Sequence, residues 1–161
     1  MHAAKEWGDF LVAEVGASAA LTGLLFVAIS INITKILEYR TSVTRAAEAL
    51  LLLCSVLFAG TFALTPGQSD EALGLELLGV GVVLWSITVV LQLRLDTKGQ
   101  PRWWLANRVF LCQAAAISYC ITGILLLTHH PAGMYWWLPA CLLSFIGGVT
   151  SAWVLLIEIL R

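Results

Sequence analysis

Charged side chains are scarce in this sequence. Asp, Glu, Lys and Arg make up 12% of its 161 residues, about half the share usual in a soluble domain. The few present gather between five long stretches that contain almost none. Helices apolar on every side belong in a large core or in lipid, and a chain this short cannot wrap five of them in a soluble core.

Groups that carry chemistry are equally sparse. There are three histidines, His2, His129 and His130. The adjacent pair points about 100° apart, and no histidine stands at a second depth to hold a haem from the other side. The segment Gly16-Ala17-Ser18-Ala19-Ala20 lacks the lysine of a phosphate loop, and no nucleophile elbow, HExxH or calcium-loop pattern occurs. The four cysteines, Cys54, Cys112, Cys120 and Cys141, form no CxxC pair and fall inside apolar runs, where a thiol acts as a small hydrophobe. No catalytic residue, cofactor or metal site is expected, and the chain reads as a non-enzyme. Its basic residues are divided between two loops, which suits anionic lipid headgroups and not nucleic acid. Acids at Glu6, Asp9 and Glu14 precede the first apolar run, a poor match to the basic start of a cleavable signal.

What the sequence does have is length in its apolar stretches. Five of them, at about 12–33, 46–64, 72–93, 109–128 and 135–160, reach the roughly 20 residues that cross a bilayer as helix. They do not alternate as barrel strands do, and lipid requires each segment to satisfy its own backbone. The expectation is an all-α polytopic bundle, one transmembrane domain over 1–161. Pro66-Gly67-Gln68-Ser69-Asp70 and Pro131-Ala132-Gly133 supply two short turns. The other two connections, around 35–45 and 94–108, are longer and more charged, and are expected to extend as helix past the hydrocarbon or to lie on its surface.

Five crossings put Lys35, Arg40, Arg45, Arg94, Lys98, Arg102, Arg108 and Arg161 on one side, leaving only Lys5 on the other. The positive-inside rule then places the N-terminus outside and the C-terminus in the cytoplasm. Trp7, Trp103, Trp104, Trp136 and Trp137 fall near the ends of the stretches and are expected as anchors in the interfacial belts. The default location is a cell membrane of the bacterial inner-membrane type.

Inside the stretches the first helix is the most informative. Glu14, Ser18 and Thr22 share an arc of about 80°, and Asn32 returns to the angle of Glu14. Beside them runs a strip of small residues containing Gly16, Ala19 and Gly23, so this helix is expected to face protein or a polar cavity. Ser144, Gly147, Gly148 and Ser151 give the last helix a second small-residue surface, and Gly74 and Gly81 give the third helix a weaker one. Asn32, Glu48, Gln92, Asn107 and Gln113 form a polar group toward the cytoplasmic ends, with Arg45 and Glu48 spaced for an ion pair on the helix surface. No Asp, Glu, Lys, Arg or His stands near the bilayer centre. That arrangement admits a narrow apolar gate between two polar vestibules and argues against a proton pump with a chain of carboxylates across the membrane.

The expected function is that of a homo-oligomeric ion-conducting protein favouring cations. Glu14 and Glu76 would set the outer field, Ser18 and Thr22 would line the path, and Asn32 would stand at the inner exit. The alternatives are a non-catalytic partner or regulator of another membrane protein, and a small-solute transporter.

Overall fold

A computed structural model describes residues 6–38, 40–94 and 102–160, and at residues 40, 102, 104 and 158–160 it describes the main chain alone. All the regular elements among the described residues are helices: α1 Gly8–Ile31, α2 Ile33–Glu38, α3 Arg40–Ala63, α4 Asp70–Leu93, α5 Arg102–Leu127 and α6 Trp137–Leu160, with a 3₁₀ turn at Gly133–Trp136 before α6. Five of these are long and apolar enough to cross a membrane. The chain is a multi-pass membrane protein with an all-α fold.

Local chemistry sets where the helices stop and start. Ser69 caps α4, its hydroxyl accepting the Ala72 N–H at 3.1 Å, and Gly67 turns the chain ahead of it at φ 75°, a conformation that costs glycine nothing. Asn32 closes α1. Its backbone N–H returns to Ala28 and Ile29, and its side-chain amide donates to the Ala28 carbonyl at 2.9 Å. Helices α3 and α5 begin six and seven residues earlier than the apolar stretches of the sequence, at Arg40 and Arg102. The extra turns hold no Pro or Gly to break them, so the helix runs on past the hydrophobic boundary. The charged connection after α1 likewise holds the short helix α2, whose buried Ile36 packs with Ala46 and Leu155.

Consecutive long helices run antiparallel. The bundle therefore has a basic end, carrying Lys35, Arg45, Arg94 and Arg108, and an acidic end, carrying Asp9, Asp70, Glu71 and Glu76. Helix α4 packs on α5, α5 on α6, α6 on α3 and α3 on α4, which closes a ring of four, while α1 lies against α3 from outside it. The closest approach joins α4 and α5. A Cβ on Gly74 would stand 2.9 Å from the Gly123 carbonyl oxygen, and one on Gly123 would stand 2.6 Å from the Gly74 carbonyl oxygen. Gly123 was not evident from the sequence. Gly147 and Gly148 do the same for α6 on α3, where added carbons would meet Leu52 and Leu53 at 2.8 and 2.9 Å.

The expectation for the first helix needs correction in part. Only 17% of α1's apolar window is buried, against 50% for α3 and for α5. Leu11, Glu14, Ser18 and Leu25 make one narrow buried stripe. Gly16, Ala19 and Gly23 face outward instead, and nothing lies within 4 Å of a Cβ placed on Gly16 or Gly23.

Candidate functional site

Two clusters of buried polar side chains occupy the interior, one toward each end. The first is built around Glu14, which is 8% exposed. Its Oε2 accepts hydrogen bonds from the Trp137 indole N–H and the Cys141 thiol of α6, both at 2.8 Å. The i, i+4 spacing of Trp137 and Cys141 places both donors on one face of α6. Trp137 stacks edge-on against Tyr119 of α5 at 6.2 Å. The Tyr119 hydroxyl lies toward Ser55 of α3 and Ser144 of α6. The Tyr119 and Ser144 hydroxyls are both buried.

Glu48 centres the second cluster and is fully buried on α3. Its Oε2 accepts from Nε of Arg108 on α5 at 2.5 Å, with Arg45 and Gln92 as further neighbours. Gln113 adds a cross-helix bond, its amide donating to Gln92 Oε1 at 2.8 Å. A second, longer contact runs from the same amide to Thr88 Oγ1 at 3.4 Å. Arg45 and Glu48 thus do not lie on a helix surface. Both are buried, Arg45 at 2% exposure, and Glu48 bonds an arginine 60 positions away. Between the two clusters stand Leu52 and Ala115, both fully buried.

No known family, curated protein or solved structure matches this chain. Its function is therefore argued from these two clusters.

Ser18 is buried beneath Glu14, its hydroxyl donating to the Val15 carbonyl at 3.1 Å, and Thr22 turns toward Cys54 of α3. The face of α1 read from the sequence as inward is inward, but it meets α3 and α6 of its own chain. Asn32 terminates α1 and stands apart from the Glu48 cluster, so the expected polar group at that end is only partly assembled. Glu76 is half-buried on α4 and accepts a hydrogen bond from Gln68, separate from Glu14. Ser144, Gly147 and Gly148 are buried, and Ser151 is half-buried.

Among the aromatic residues, Trp7 packs edge-on against Phe10 and Tyr135 at 5.7 and 5.3 Å. Trp103 and Trp136 are 71% and 42% exposed, and the side chain of Trp104 lies outside the described residues. Trp137 departs from the expected belt. It is fully buried, with its indole N–H on Glu14. Outside both clusters, His129 lies 3.3 Å from Glu71 in an exposed pair.

Proposed function

We propose that this chain conducts a cation across a cell membrane of the bacterial inner-membrane type as a homo-oligomer, and that the cation is the proton. The N-terminus is assigned to the outside and the basic end to the cytoplasm, following the asymmetry of Lys and Arg. One observation carries the reading. Glu14 is drawn into the interior onto Trp137 and Cys141, and Glu48 occupies the same interior toward the opposite end.

Intramembrane carboxylates are costly and most often serve function. Here the Tyr119, Ser55 and Ser144 hydroxyls follow Glu14 inward, and the Leu52–Ala115 layer separates them from Glu48. Side chains fill this interior closely, with Trp137 and Tyr119 both fully buried, which disfavours a hydrated metal ion. A proton needs only donors, acceptors and brief wetting of a short apolar gap. Homo-oligomerisation is supported by the uncovered strip of α1 holding Gly16, Ala19 and Gly23, since small residues let membrane helices approach closely.

Purified protein in liposomes carrying an internal pH dye tests the reading. A potassium gradient with valinomycin should drive proton entry, and Glu14→Gln and Glu48→Gln should each reduce it at least tenfold. Wild-type flux no greater than that of empty liposomes, across pH and voltage, rejects conduction. The same α1 strip also favours a second reading, in which it docks an unrelated membrane protein. An unrelated subunit purifying with the chain at fixed stoichiometry, without proton flux, would select that reading.

A further inference from the structure

We propose that the cavity between α5 and α6 at the basic end binds a small monovalent anion of chloride's size. It has a volume of about 50 Å³, and Arg45, Asn107, Arg108, Thr150 and Ser151 are among the side chains that line it. The inference does not depend on conduction.

Arg108 carries the case. The residue is 6% exposed, and its Nε is bonded to Glu48. Its two terminal nitrogens, Nη1 and Nη2, are buried and meet no acceptor among the described residues. Arginine commonly grips a carboxylate with two parallel N–H bonds, whereas Glu48 here engages Nε alone. Several charged N–H donors are thereby left out of water without an acceptor, a costly arrangement. An anion in the cavity, which Arg108 lines, would supply the opposing charge. Arg45 lines the same cavity, and Asn107 and Ser151 add neutral polar residues.

Size selects the ligand. An ordered water needs roughly 10–15 Å³ on this measure of volume, so the cavity admits a halide ion with one or two waters. A lipid phosphodiester with its glycerol does not fit.

The test is thermal unfolding of the purified chain in a neutral detergent, with sodium chloride exchanged for sodium gluconate at constant ionic strength. Chloride and bromide should each raise Tm saturably by about 2–4 °C, and crystals grown in bromide should show an anomalous peak beside Arg108. Ser151→Leu fills the cavity without touching the Arg108–Glu48 bond, and should remove the chloride shift while the chain stays folded. Equal Tm in chloride and gluconate with no bromide peak would overturn the proposal. So would a shift given by inorganic phosphate but not chloride, or one given only by phosphatidylglycerol nanodiscs relative to phosphatidylcholine nanodiscs. A folded Ser151→Leu chain that keeps the full chloride shift would overturn it as well.

Discussion

The indole N–H of Trp137 donates to Glu14 Oε2 at 2.8 Å, joining the first long helix to the start of the last across 123 positions of sequence. Helix α1 lies outside the ring of four, so this bond and that of Cys141 fasten a peripheral helix to the interior. They also fix where the carboxylate points.

Replacing Trp137 by Phe keeps the ring and removes the donor. Leaving a buried group without its partner costs about 1–3 kcal/mol, so Trp137→Phe should lower stability by that amount in unfolding from mixed micelles. Trp136→Phe, at an exposed position, should stay within about 0.5 kcal/mol of the parent chain. Equal losses at the two positions would show that the Glu14 bond is not what holds α1.

The Arg108–Glu48 pair should behave as a buried ion pair. Removing one partner strands the other charge, at a cost of about 3–5 kcal/mol, so Arg108→Met and Glu48→Met should each be strongly destabilising. The double substitution removes both members of the pair and should cost clearly less than the sum of the two. A double-mutant cycle in the same unfolding assay reads the difference, and simple additivity would contradict the pairing.

These two pairs also mark what the sequence makes legible. The five crossings and their two tight turns follow from apolar length and from Pro and Gly, and the buried face of α1 follows from the helical period of Glu14, Ser18 and Thr22. Depth is readable in the same way, since Glu48, Gln92 and Gln113 fall toward one end of their stretches and meet there. Partnership across helices is not. Nothing local tells Glu48 that Arg108 will reach it, because that depends on which helices adjoin in the ring. Trp136 and Trp137 share composition and depth, but a rotation of about 100° sends one outward and the other to Glu14. The strip of Gly16, Ala19 and Gly23 shows the same limit: small size permits close contact without saying which neighbour supplies it.

At the α4–α5 seam, Gly123 should be intolerant of any side chain. An added Cβ would stand 2.6 Å from the Gly74 carbonyl oxygen and 2.7 Å from the Leu78 nitrogen, backbone atoms that move only if the helices separate. Gly123→Ala should therefore cost about 1–3 kcal/mol. Gly79→Ala, with nothing within 4 Å of its Cβ, should be neutral or slightly stabilising, as expected for alanine in a helix. Matching stabilities for the two variants would mean that α4 and α5 do not approach as closely as described.

The outward strip of α1 gives the opposite expectation at its own glycines. A Cβ added at Gly16 or Gly23 has nothing within 4 Å in its own chain, so the double variant Gly16→Leu, Gly23→Leu should keep the parent Tm. If copies of the chain meet along this strip, the same change forces their backbones apart and removes the close packing that holds membrane helices together. Native mass spectrometry from detergent should then show a shift from oligomer to monomer with the fold intact. An unchanged oligomer would place the contact on another face. A parent chain that is already monomeric in both detergent and nanodiscs would instead leave the strip to lipid or to a different protein, and would remove the homo-oligomer from the proposed function.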